Sequence, residues 1–147
     1  RCQDLPPFVM AINQYDWDYP PDIVYDRGSS ETLRYGVNLA GKANEIYILF
    51  EDTVDRRGNN PVWEILDVVT IPSDSIAPSN PQGDYFIHSG CSINGGPIDP
   101  EIVAVLGNQE TEFITDIRQA WRANRQTRQL EVLSTEGIAC ENPGWGL

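Results

Sequence analysis

The stretch EIYILFEDTVDRRGNNPVWEILDVVTI, residues 45–71, decides the fold class of this chain. It holds two runs rich in β-branched and aromatic residues, EIYILF at 45–50 and VWEILDVVTI at 62–71. Residues of these types favour β-strands. Between the two runs lies DTVDRRGNNP, whose Asp, Asn, Gly and Pro are typical of turns. The stretch therefore predicts a β-hairpin with a polar tip.

Further short apolar runs flank this hairpin and are separated by Gly, Asn, Asp and Pro clusters. They are Leu33 to Leu39, Asp84 to His88 and Ile102 to Leu106. The pair Asn94-Gly95 favours a two-residue type I′ turn, with Ile102 to Leu106 as the strand that follows. We therefore expect a mainly β fold, an antiparallel meander that forms a small sandwich or a barrel-like sheet.

The segment 110–133 fits two patterns. Phe113, Ile117 and Trp121 recur at helical spacing, whereas the residues from Ile117 to Ala123 also alternate as in a strand. The sequence NRQTRQ followed by LEVLS is typical of a turn and a returning strand. We predict at most one short helix near 111–119, and then a hairpin.

Residues 1–35 differ from the rest in composition. They hold four prolines and several aromatics without a sustained period of 2 or 3.6 residues. Because large aromatic side chains favour burial, this irregular N-terminal arm is expected to pack on the body or on a partner. Residues 36–147 are expected to form a single β-rich domain.

Composition and charge exclude several classes of protein. With 10 Lys and Arg against 22 Asp and Glu, the net charge is −12, which opposes binding to nucleic acid and to anionic bilayers. A hydrophobic fraction of 40% argues against intrinsic disorder. No run approaches the roughly 20 apolar residues that cross a membrane.

The three cysteines lie far apart and lack the C-x-x-C spacing of zinc or redox sites. In an oxidising compartment we favour a disulfide between Cys91 and Cys140, because both lie in the structured half, although Cys2 could replace either. In a reducing compartment all three would be free thiols. The start at Arg1-Cys2 favours a processed, exported protein of the periplasm, the cell surface or extracellular space, or the thylakoid lumen if the organism is photosynthetic.

From residue 45 to 142 the order of motifs resembles that of small exported bacterial proteins of unknown function, chiefly cyanobacterial. The motifs are VWEILDVV, GCSING, PEIVAVLGN, QAWRANRQTRQLEVLS and GIACEN. The resemblance implies one cysteine near an Asn-Gly turn and another after the terminal hairpin, here Cys91 and Cys140. It implies no activity. Thr127-Arg128 stands where the resemblance implies Thr-Gly, which suggests a looser turn.

Few residues suggest catalysis or metal binding. His88, the single histidine, precedes Ser89, Cys91 and Ser92, and a small hydrolase using His88 and carboxylates is one alternative. Calcium is the one cofactor considered, because carboxylate oxygens bind it. A calcium- or carbohydrate-binding module is the other alternative. Its candidate residues are Asp16, Asp18 and Asp22 with Trp17 and Tyr19, and a second acidic group that could bind calcium is Glu51, Asp52 and Asp55.

Two groups of residues are candidates for binding a protein partner. The aromatics Tyr15, Trp17 and Tyr19 alternate within the arm, so an extended chain would place them on one face. The arginines concentrate late in an acidic chain and could pair with a neighbouring copy or with the chain's own carboxylates; they are Arg118, Arg122, Arg125 and Arg128. We expect a non-enzymatic binding or structural accessory subunit that contacts a protein partner or forms a homo-oligomer.

Overall fold

The computed structural model describes the backbone of residues 8–10, 35–42, 45–57, 60–72 and 85–146, and the side chains of 35–41, 45–52, 64–72 and 85–146. All of its regular elements are strands. They are β1 (Phe8–Met10), β2 (Tyr35–Lys42), β3 (Glu45–Arg57), β4 (Asn60–Pro72), β5 (Tyr85–His88), β6 (Cys91–Ile93), β7 (Ile102–Gly107), β8 (Phe113–Ile114), β9 (Ile117–Asn124), β10 (Gln129–Leu133) and β11 (Ile138–Glu141).

Sheet A contains β1, β2, β3 and β4 in that order. The predicted hairpin of residues 45–71 is confirmed as the antiparallel pair β3 and β4. Two shifts of register, at Phe50/Glu51 and at Thr53/Asp55, interrupt this pair. The strand β1 joins the edge in parallel, with Phe8 opposite Tyr35. Part of the N-terminal arm therefore belongs to the sheet.

Sheet B has the order β10, β9, β7, β5, and every pair of neighbours is antiparallel. All six residues of β7 are buried, as expected of a strand that is covered on both faces. Sheet C has the order β6, β11, β8; in the chain, β6 and β8 lie between strands of sheet B, and β11 follows the last of them. The segment from β5 to β11 therefore contributes strands to both sheets B and C.

Two apolar cores show how the sheets are stacked. The first joins sheet A to sheet B through residues such as Ile48, Phe50, Val103 and Trp121. The second joins the other face of sheet B to sheet C and includes Ile102, Ile114 and Ile138. Sheet B is therefore the middle layer of three, and within the described ranges none of the sheets closes into a barrel.

The segment that fitted two patterns folds as strands. Residues 113–114 form β8 and residue 117 begins β9, so the short helix allowed near 111–119 does not form. The reason is tertiary: β9 pairs with β7 on one side and β10 on the other, and alternating Ala120 and Trp121 fill the two cores. The predicted hairpin that follows is confirmed as β9 and β10.

The turn predicted at Asn94-Gly95 is present. Both residues have positive φ, 52° and 74°, and Gly96 N–H donates to Ile93 C=O at 3.0 Å, as in a type I′ turn. The strand expected to complete this hairpin does not do so. β7 pairs with β5 and β9, whereas β6 pairs with β11 and makes a single bridge from Cys91 to Asp99.

Candidate functional site

The β9–β10 hairpin carries all four arginines that the sequence marked as candidates. Asn124 organises its loop: its backbone C=O accepts from Arg128 N–H at 2.7 Å, and its Oδ1 accepts from Gln126 N–H at 2.9 Å. Arg128 has a φ of 62°, a left-handed conformation that is uncommon outside glycine. The loop is thus held by specific hydrogen bonds.

Two of the predicted arginines fasten the loop before β7 to the end of β9. Arg122 Nη1 lies 2.7 Å from Asp99 Oδ2 and 3.1 Å from Glu101 Oε1. Arg125 Nε lies 3.1 Å from Glu101 Oε2, and Arg125 N–H donates to the same oxygen. Because these side chains are mostly shielded from water, the network is stronger than an exposed ion pair.

The other two arginines also contact carboxylates of their own chain. Arg128 Nη1 lies 2.8 Å from Asp52 Oδ2, on a side chain that is only 2% exposed, and so links sheet B to sheet A. Arg118 is exposed, pairs with Asp116 and places its guanidinium 4.5 Å from the centre of the Tyr85 ring. Each of the four arginines is therefore paired within the chain, one of the two arrangements considered from the sequence.

The outer edge of β10 is a feature that the sequence did not single out. Leu130 N–H donates to Asp67 Oδ2 on β4 at 2.7 Å, so it points away from β9. Backbone groups alternate in direction along a strand, so the N–H and C=O of Val132 point the same way. The Val132 side chain is 82% exposed, although its partner on β9 is the buried Trp121.

Charge at this edge is acidic. The carboxylate of Glu131 accepts from Asn124 Nδ2 at 2.8 Å and from Thr127 Oγ1 at 3.0 Å. These hydrogen bonds hold the pKa of Glu131 below its usual value, so it stays ionised at neutral pH. Arg122 lies opposite Glu131 on β9 and its charge also lowers the Glu131 pKa, although the two form no direct ion pair within the described part of the chain. Asp67 adds a second carboxylate beside Leu130.

The surroundings of His88 are those of a strand end. Burial lowers the pKa of its imidazole, an effect that the charge of Glu141 opposes. Cys91 is joined to Cys140 at an S–S distance of 2.05 Å, so its sulfur is not a free nucleophile. Ser92 is buried and pairs with Ala139 on β11. The disulfide preferred from the sequence is thereby confirmed, and Cys2 lies outside the described residues.

The remaining candidates either lie elsewhere or are separated. Glu51 and Asp52 are successive residues of β3 and contact Asn38 and Arg128 respectively, on opposite faces of sheet A, so they do not share one cation. Among the residues with described side chains, no cluster of three or more metal-ligating groups occurs. The candidates that lie outside the described residues are Asp16, Asp18, Asp22, Tyr15, Trp17 and Tyr19, and the side chain of Asp55.

A buried polar pair in sheet A was also missed. Asn38 Nδ2 donates to Glu51 Oε1 at 3.0 Å, and both residues are at most 1% exposed. Burial raises the pKa of Glu51 to about 7, although the hydrogen bond from Asn38 acts in the opposite direction. Asn38 Oδ1 accepts no hydrogen bond from any described group. The only sign of this pair in the sequence is that a polar residue, Asn38, lies inside one apolar run and another, Glu51, directly follows the next.

Comparison with known proteins gave no match to a protein-family model, a curated protein or a solved structure. Among the described elements no helix could cross a membrane. The geometry of the hairpin and its edge is therefore the main basis for an inference about function.

Proposed function

We propose that this chain is an exported, non-enzymatic binding domain that acts through protein–protein contacts, and that its contact surface is the outer edge of β10. The observation that carries the proposal is the exposure of Val132, 82%, on a regular edge strand. Asp67 on β4 already binds the Leu130 N–H, so the part of the edge open to another strand is centred on Val132. Free backbone groups at an edge can accept an extended segment of another protein, which adds one strand to the sheet.

The other strands at the ends of the sheets are less suited to this role. β1 and β6 have three residues each, and β8 has two. β4 contains the register shifts opposite β3, and irregular edges of this kind discourage pairing. β5 is regular, but Phe86 and Ile87 within it are buried. β10 has five residues and pairs with β9 without a shift.

Export is supported by the disulfide between Cys91 and Cys140, because disulfides persist in oxidising compartments and are rare in the cytosol. Periplasm, cell surface and thylakoid lumen all meet this requirement. The paired arginines support a structural role for the hairpin, since they hold the loop and the two sheets that frame the edge.

The test uses a substitution that removes one backbone donor from the edge. In Val132→Pro the lost N–H points away from β9, so the β9–β10 hydrogen bonds are kept, and proline is tolerated at such positions. Val132→Ile is the matched control, because it retains the N–H and the apolar side chain. Circular dichroism and thermal melts establish that both variants fold.

All three proteins are then used for affinity capture with crosslinking from the native extract. We expect a partner that the wild type and Val132→Ile retain and Val132→Pro loses. Once purified, this partner should slow hydrogen exchange at the Val132 amide. A partner bound equally by Val132→Pro, or no retention that depends on Val132, would contradict the proposal.

A further inference from the structure

We infer that the occupant of the β10 edge is an extended segment of another protein in which apolar residues alternate with lysine or arginine. This inference rests on the proposed function and specifies the chemistry of its partner. Side chains alternate across a strand, so an added strand presents one row of residues to each face of sheet B. The two faces of β10 differ in chemistry.

One face of β10 is apolar and incompletely covered. Leu130 and Val132 lie on it, and Leu130 belongs to the core between sheets A and B. Leu130 is 8% exposed, whereas Val132, which is not part of that core, is 82% exposed, so the apolar row of β10 extends beyond the core to an uncovered residue. Apolar residues of an added strand would continue this row and bury Val132.

The other face carries Glu131 between Gln129 and Leu133. The groups that donate to the Glu131 carboxylate, Asn124 and Thr127, are neutral, and the cation opposite it on β9 is Arg122. Arg122 also pairs with Asp99 and Glu101, and Arg125 pairs with Glu101, so two guanidinium groups face three carboxylates here. A cation from the partner is therefore the complement of this face, because opposite charges across paired strands are stabilising.

A second copy of this chain is a poorer occupant. Each copy carries a net charge of −12, so two copies repel at low ionic strength. The same charge steers a basic segment toward the protein and raises its rate of association. The charge of the whole chain and the local acidity of the edge favour the same partner.

The experiment uses labelled synthetic peptides of equal length in which valine alternates with arginine, with threonine or with glutamate. Binding to the full chain is measured by fluorescence anisotropy at low and at high ionic strength. We expect the arginine peptide to bind roughly two- to tenfold more tightly than the threonine peptide, and the glutamate peptide to bind least. High salt should reduce this difference.

Two variants separate this inference from the proposed function. Val132→Pro should abolish binding of every peptide, and Glu131→Gln should lower affinity only for the arginine peptide. Equal affinity for the arginine and threonine peptides, with both lost in Val132→Pro, would overturn the basic partner but keep the edge as the contact surface. Peptide binding unaffected by Val132→Pro would overturn both, and a Val132-dependent dimer in sedimentation would replace the partner by a second copy.

Discussion

The pair formed by Asn38 and Glu51 is best explained by a neutral carboxyl group. An ionised glutamate has only acceptors, which leaves the buried Asn38 Oδ1 without a donor. A protonated Glu51 can accept from Asn38 Nδ2 on one oxygen and donate from the other to Asn38 Oδ1. The raised pKa of Glu51, about 7, agrees with this arrangement. One proton would thus satisfy both buried groups.

This pair makes stability depend on pH. The pKa of Glu51 is about 7 in the folded chain and near 4.5 in the unfolded chain, so the folded state binds more protons between these values. The free energy of unfolding should therefore fall as pH rises from about 4.5 to about 7, by about 3 kcal/mol at most. Glu51→Gln supplies a permanent amide donor and should remove this fall.

The measurement is urea unfolding of both proteins at a series of pH values. Glu51→Gln should be the more stable protein above pH 7, and the difference should shrink toward pH 5. Glu64→Gln, which changes an exposed glutamate on β4, is the matched control and should follow the wild type. A Glu51→Gln protein with the same pH dependence as the wild type would show that Glu51 is ionised in the folded state.

For Arg128, the sequence indicated the turn in which the residue lies but not the residue with which it pairs. The sequence predicted the hairpin and located its turn, and the resemblance implied glycine at this position. The residue has the φ of 62° that glycine adopts readily. What the sequence does not reveal is the partner: Asp52 lies 76 positions away and accepts from Arg128 Nη1. The cost of the left-handed conformation is offset by a contact that only the packing of sheet A on sheet B creates.

At the scale of elements, the disulfide joins the edge strand β6 to β11, the central strand of sheet C. Cys91 on β6 is directly opposite Cys140 on β11, and 49 positions separate them in the chain. In the chain-entropy model a bridge over this separation stabilises the fold by about 4 kcal/mol. The short strands β6, β8 and β11 offer few hydrogen bonds, so sheet C depends on this bridge more than the other sheets do.

Replacing both cysteines, in Cys91→Ala/Cys140→Ala, should lower the free energy of unfolding by about 4 kcal/mol. The measurement is chemical unfolding, with intact mass under non-reducing conditions to verify the bridge. Cys2→Ala serves as the control and should leave both the bridge and the unfolding midpoint unchanged. A double variant as stable as the wild type would mean that sheet C is held by its apolar core alone.

Elements differed in how well the sequence predicted them. β3, β4, β7 and the β9–β10 hairpin follow from local alternation, β-branched residues and turn chemistry. Partition into three sheets does not follow, because local pattern does not specify which strands pair. The turn at Asn94-Gly95 is an example: its geometry is local and was predicted, but its expected partner β7 pairs elsewhere. The edge position of β10 likewise depends on long-range pairing.

In the whole molecule, β7 links the two cores residue by residue. Val103 and Val105 belong to the core shared with sheet A, whereas Ile102 and Ala104 belong to the core shared with sheet C. A disturbance of either core must therefore act on the same strand. Because the layers share β7, we expect sheets A, B and C to unfold as one cooperative unit.

Two matched substitutions, one in each outer sheet, test this cooperativity. Ile48 on β3 and Ile138 on β11 are both buried, at 0% and 4% exposure, in different cores. Ile48→Ala and Ile138→Ala should each cost about 2–5 kcal/mol, from lost burial and the cavity left behind. Native-state hydrogen exchange at Val103 and Ala104 should then show the same loss of protection as global unfolding. If Ile138→Ala accelerates exchange in β6 and β11 while β7 keeps its protection, sheet C unfolds independently and the two cores are not coupled.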